Sequence, residues 1–209
     1  IVAAPGVLVA EAVFVVSPAA FAYARPHPQP GAPAPADEAG ESFGAFLRRA
    51  ARPGALILAG LACATAANYA ALSWAPAFLQ RAFGWSAGQA GLALGVLIFT
   101  AALPGGLVWS FVATRLAPRS QVAALIVLSA STAAAAPFAV IGYLANMAPL
   151  ALAGMYLSTF FGAGLVGLGP AIVQAATPST ARGRVSATQL LVTSVFGMSA
   201  GPFAVAALT

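Results

Sequence analysis

Charge is what this 209-residue sequence has least of: 6% of its residues are Asp, Glu, Lys or Arg, against about 25% in a soluble domain. That deficit excludes an ordinary water-facing surface. Lysine is absent, so the net charge of +5 rests on nine arginines against four acids. Those arginines lie in the breaks between apolar runs, where they report topology rather than a nucleic-acid partner. One cysteine, Cys63, excludes a disulfide framework, and one histidine, His27, leaves no metal cluster to build. With no nucleophile and base pair, no His, Asp and Glu constellation and no Walker-type glycine loop, the inventory points away from an enzyme and implies no cofactor.

What is present is apolar: 61% of the residues are hydrophobic, in runs of roughly 20 or more that match a hydrocarbon core about 30 Å thick. The runs are continuous rather than alternating, which favours helices over a membrane barrel. The expected fold class is an all-α membrane protein with six transmembrane helices, at residues 2–23, 54–79, 88–113, 121–144, 148–175 and 185–208. The breaks test that count. The first holds Arg25, Arg48, Arg49 and Arg52, the second Arg81, the third Arg115 and Arg119, the fourth none, and the fifth Arg182 and Arg184. Basic residues accumulate in cytoplasmic loops, so the odd breaks are expected in the cytoplasm and both chain ends outside.

Three segments follow: a membrane helix at 1–24, a cytoplasmic linker at 25–53, and five membrane helices over 54–209. The linker stretch "RPHPQPGAPAPADEAGE" is rich in Pro and Ala and acidic at its end, as a semi-rigid disordered spacer is. Its His27 reads as a solvated loop residue, with a pH sensor or ligand as the sharper alternative. In "SFGAFLRRAARPG", Phe43, Phe46 and Leu47 would lie against lipid while Arg48, Arg49 and Arg52 meet anionic headgroups, which predicts a short interfacial helix. The opening "IVAAPGVLVA" has no initiator Met or basic leader, and "GPFAVAALT" closes without a polar tail, so the sequence reads as a fragment.

Polar residues inside the spans carry the functional question. At 100° per residue, Thr65, Asn68, Tyr69, Ser73 and Pro76 share one arc of the second span, opposite Trp74. Tyr156 with Thr159 and Gln189 with Thr193 make shorter spots on the fifth and sixth spans. Lipid satisfies no hydrogen bonds, so each stripe must meet a cavity or another helix; three stripes favour a shared cavity, with interhelical packing as the alternative. Trp74 and Trp85 read as interfacial belt residues. Glu11 is the one ionisable group well inside a span and is a candidate proton site. Gly91 with Gly95, Gly154 with Ser158 and Gly162, and Gly197 with Gly201 have helix-packing spacing. The segment "FGAGLVGLGPA", with Pro104, Pro137, Pro170 and Pro202, predicts helices that bend.

The third break, "GGLVWSFVATRLAPRS", resembles the cytoplasmic signature loop of the major facilitator superfamily in the second half of that fold. Arg115 and Arg119 match its basic positions; Ser110 stands where Gly is usual and Thr114 where Asp is usual, so a charge-dependent latch lacks its acidic member here. "NYAALSWAPAFLQRAFGWSAGQAGLALG" is similar to the seventh helix, outer loop and start of the eighth in Spinster-like and related organic-solute carriers. "ARGRVSATQLLVTSVFGMSAGPFAVA" resembles the tenth-to-eleventh loop and eleventh helix, and the long first break resembles the linker between the two halves.

The resemblance implies helices six to eleven of a twelve-helix carrier that moves a small organic solute by alternating access, with substrate near the midplane. It further implies a bacterial inner-membrane location, partnership with the N-terminal half, membrane lipid and a coupling proton or cation, and inactivity of the fragment alone. Thr65, Asn68, Tyr69, Ser73, Tyr156, Thr159, Gln189 and Thr193 become the candidate substrate-cavity residues. No intramembrane Arg or Lys is present to bind an anion, which favours a neutral, amphipathic or cationic solute. The competing reading is a membrane scaffold or assembly subunit, whose stripes and glycine faces are packing contacts.

Overall fold

The computed structural model describes residues 43–116, 123–175, 177, 181–199 and 203. The expected first span with Glu11, the linker with His27 as far as residue 42, and Arg119 lie outside the described residues. All regular structure among the described residues is helical: α1 (Phe43–Phe83), α2 (Ala87–Leu116), α3 (Ala123–Leu144), α4 (Ala148–Gly162), α5 (Gly164–Ala175) and α6 (Arg182–Val192), which runs into a π-helical segment, Thr193–Ser199. Four stretches are long and apolar enough to cross a membrane, Gly54–Phe83, Ala87–Leu116, Ala124–Leu144 and Ala148–Ala175, the last made of α4 and α5 together. Large side chains such as Leu107, Phe99 and Val166 stand exposed on them, a surface that lipid accepts and water does not. The chain is a multi-pass membrane protein.

The short interfacial helix expected before residue 54 is continuous with the span: α1 runs unbroken for 41 residues through Pro53. Proline removes one ladder donor, while the surrounding Ala, Leu and Arg are strong helix formers and carry the helix across. Its far end is sharply built. Gly84 adopts φ +68, and its N–H donates to the Gln80 carbonyl at 3.0 Å, the left-handed stop that glycine allows. Two residues later Ser86 and Gln89 cap α2 reciprocally, the Ser86 N–H donating to Gln89 Oε1 at 3.0 Å and the Gln89 N–H to Ser86 Oγ at 3.3 Å.

Within the bundle α3 packs most extensively on α4, α1 on the π-helical segment, and α2 on α4. Two apolar cores result. One, toward the ends that carry most of the arginines, gathers Leu61, Ala113, Leu128, Leu168 and Ile172; the other, beside the 84–86 turn, gathers Leu79, Ala90, Leu94, Leu97 and Met155. Residues 65–74 of α1 lie between them.

The closest backbone approaches fall at Gly105, Gly142 and Gly154. A Cβ on Gly105 would run into the Phe160 carbonyl, and one on Gly154 would fall 2.6 Å from the Gly142 Cα. By contrast Gly91 and Gly95, expected from their spacing to bring backbones together, face open space. The half of α2 next to the 84–86 turn faces them away from the other described helices, so spacing there did not translate into contact.

Candidate functional site

On α1 the polar arc divides by what each side chain can bond. The Thr65 hydroxyl donates to the Leu61 carbonyl of its own helix at 2.7 Å and is half-buried, a local bond that removes it from competition for a ligand. Asn68 and Ser73 are exposed and Tyr69 is half-buried. None of these three side chains hydrogen-bonds to another described residue, and Leu72 shares their open face. Amide and hydroxyl groups with no partner among the described residues need one from elsewhere in the protein, from water or from a bound polar molecule, because hydrocarbon supplies neither donor nor acceptor.

Tyr156 on α4 lines an open groove of about 1030 Å³ between α2 and α4, with Trp85, Gln89, Val96, Thr100 and Leu152. Its hydroxyl donates to the Thr100 carbonyl at 3.1 Å. That acceptor is free because the residue four positions on is Pro104, which has no N–H to return. The groove lining is otherwise apolar and holds no charged side chain. Thr159 is half-buried nearby in sequence. Gln189 is buried on α6, and the Thr193 hydroxyl donates back to the Gln189 carbonyl at 2.8 Å, where the π-helical segment that packs on α1 begins. The α1 arc and Tyr156 therefore do not line one groove among the described residues.

A second bond between α2 and α4 runs the other way. The Trp109 indole N–H donates to the Phe160 carbonyl at 3.0 Å, within an aromatic cluster in which Phe138 stacks on Phe161 at 5.3 Å and Trp109 lies 5.5 Å from Phe161. Two signals of these contacts were present in the sequence and unread: Ser-x-x-Gln at 86–89, which fixes the groove mouth, and a threonine four residues before Pro104. Nothing local announced Trp109.

A family model described as Major Facilitator Superfamily matches residues 1–202. The chain belongs to that superfamily. It is also 31% identical over 181 residues to a protein of Mycolicibacterium smegmatis named "MFS-type efflux pump", covering 86% of this chain and 41% of that relative. The chain thus spans less than half the length of the curated relative it matches. No solved structure matches it.

Near the end of α2, the Ser110 Oγ lies 3.3 Å from where a Cβ on Gly167 of α5 would sit. Thr114 donates its hydroxyl to the Phe111 carbonyl at 2.8 Å. The Arg115 guanidinium lies 4.7 Å over the Phe111 ring, a cation held against a π face.

Proposed function

We propose that this chain forms helices six to eleven of a twelve-helix secondary carrier, most like the Spinster-like and organic-solute carriers, and that the carrier exports a small neutral or lipophilic cationic solute by alternating access. The observation that carries this reading is the open polar face of Asn68, Tyr69 and Ser73, set in a membrane-length helix between two apolar cores. A face that lipid cannot solvate belongs on a water-filled path. Membership of the superfamily and likeness to a protein named as an efflux pump support transport and its outward direction.

In this proposal Asn68, Tyr69 and Ser73 offer hydrogen bonds to the solute, Tyr156 and Gln89 border a subsite for its apolar part, and Thr159, Gln189 and Thr193 contribute from the tenth and eleventh helices. Glu11 carries the coupling proton, Arg115 and Arg119 hold the cytoplasmic loop, and the linker 25–53 joins the halves in the cytoplasm of a bacterial inner membrane. The N-terminal half supplies the rest of the pathway.

Cysteine accessibility decides it. In the full-length protein with Cys63→Ala, single cysteines at positions 68, 69 and 73 are expected to react with a membrane-impermeant thiol reagent, and one at position 74 is not. Protection of all four would place the face in a dry interface and end the transport reading of it.

A further inference from the structure

Pro76 sits inside α1, which runs unbroken from Phe43 to Phe83. Having no N–H, it leaves the carbonyl four residues back, that of Leu72, without its ladder donor. The same deficit on α2 is made good: the Thr100 carbonyl, freed by Pro104, takes the Tyr156 hydroxyl at 3.1 Å. On α1 the nearby donors go elsewhere. Tyr143 donates to the Ala71 carbonyl at 3.0 Å, and the Gln80 side-chain amide donates to the Pro76 carbonyl at 3.2 Å. No side chain among the described residues donates to the Leu72 carbonyl.

That acceptor opens onto the polar face. Residues 68, 69, 72, 73 and 76 form one stripe of the helix, and a helical carbonyl points along the axis toward the residue four positions on. The Leu72 carbonyl therefore ends beside Pro76, on the stripe that carries Asn68, Tyr69 and Ser73, and Asn68, Leu72 and Ser73 are exposed. The amide and hydroxyl side chains can each donate or accept, and turn to suit a solute. The carbonyl can only accept. No Asp or Glu lies on α1, so the oxygens of this face are neutral and bind through hydrogen bonds rather than through net charge.

We propose that the Leu72 carbonyl selects the polar head of the solute: it accepts a hydrogen bond from a solute N–H, with Asn68 and Ser73 beside it. The face thus takes protonated primary or secondary amines and unsubstituted amides in preference to heads with no N–H, such as quaternary ammonium. The place of this preference in a transport cycle rests on the function proposed above. A head without a donor strips water from the carbonyl and puts nothing in its place, whereas an N–H restores the bond. A site that hydrogen-bonds an N–H rejects the analogue lacking it more strongly than an apolar pocket rejects an added methyl.

Binding tests this without transport, read as thermal stabilisation of the purified full-length protein by a matched pair of ligands. One is a protonated arylalkyl primary amine, the other its N,N,N-trimethyl analogue. In the parent protein the amine is expected to reach half-maximal stabilisation at a concentration about tenfold lower, the worth of one hydrogen bond to an otherwise unmet acceptor. Pro76→Ala returns the ladder N–H to the Leu72 carbonyl. It is expected to narrow the gap to about twofold while the trimethyl compound keeps its own value. Equal values in the parent, binding of neither compound, or a gap that survives Pro76→Ala overturns the proposal. Should Pro76→Ala fail to fold, a neutral pair on the parent protein, an arylalkyl carboxamide and its N,N-dimethyl form, must show the same order, and equal binding of that pair overturns it. Failure of the transport reading is seen separately, in thiol labelling at positions 68, 69 and 73: labelling there with equal binding of the pair leaves the water-filled path and removes only its preference for N–H.

Discussion

Gly142 and Gly154 stand back to back where α3 crosses α4, with a Cβ on Gly142 destined for 2.9 Å from the Met155 nitrogen and one on Gly154 for 2.8 Å from the Phe138 carbonyl oxygen. Neither neighbour is a flexible side chain that could give way. Gly142→Ala or Gly154→Ala is therefore expected to lower stability by about 1–3 kcal/mol, the usual range for overpacking. Gly183→Ala, where nothing lies within 4 Å, is expected to stay within about 0.5 kcal/mol of the parent. Thermal unfolding in one detergent compares the three, and an unaffected Gly154→Ala would contradict the crossing.

The turn between α1 and α2 offers a second measurement. Gly84 holds φ +68, so Gly84→Ala is expected to lose roughly 1–2 kcal/mol through the left-handed backbone alone. Ser86→Ala removes one side of the capping box and is expected to lose about 1 kcal/mol. Hydrogen exchange at residues 86–90 localises the loss; it rises for both variants if the turn is as described.

Tyr156 and Pro104 form a coupled pair through the Thr100 carbonyl. Tyr156→Phe leaves that carbonyl without its donor and, because the bond is exposed on the groove, is expected to destabilise by about 0.5–1.5 kcal/mol. With Pro104→Ala in place the ladder N–H returns, and the same tyrosine change is expected to lose less. A double-mutant cycle measures the difference as a coupling energy; strict additivity would mean that Pro104 is not what leaves the acceptor open.

Hydroxyls satisfied within their own helix should differ from those that are not. Thr65→Ala removes a group bonded to the carbonyl of Leu61 and is expected to leave export of a fluorescent lipophilic cation unchanged. Asn68→Ala and Tyr69→Phe each remove a group with no partner among the described residues, and are expected to lower kcat/KM by about 2–10-fold, one hydrogen bond's worth. Equal effects of all three would sink the distinction.

Several of these features were legible before any coordinates. Hydropathy marked the runs 54–79, 88–113, 121–144 and 148–175, and membrane-length stretches lie at Gly54–Phe83, Ala87–Leu116, Ala124–Leu144 and Ala148–Ala175. The glycine-rich run at 161–171 predicts a bend; Ala163 separates α4 from α5 there while keeping helical φ −63 and ψ −21. Glycine spacing served unevenly: Gly91 and Gly95 face open space, whereas Gly154 of the 154, 158 and 162 set makes a close contact, as do Gly105 and Gly142, which no such spacing marked. A glycine lets a backbone approach, but only the rotation of both helices determines whether one does.

That contrast separates what the sequence determined by itself from what tertiary structure decided. Membrane residence and helical class follow from residue-by-residue properties, the scarcity of charge and the length of each apolar run, because a hydrocarbon slab about 30 Å thick tests every segment in the same way. Which polar groups remain open on α1, which carbonyl Tyr156 reaches and what Trp109 holds depend on how the helices are turned against one another. Those bonds join residues 56 and 51 positions apart, and no local pattern encodes the facing of two helices that only packing brings together.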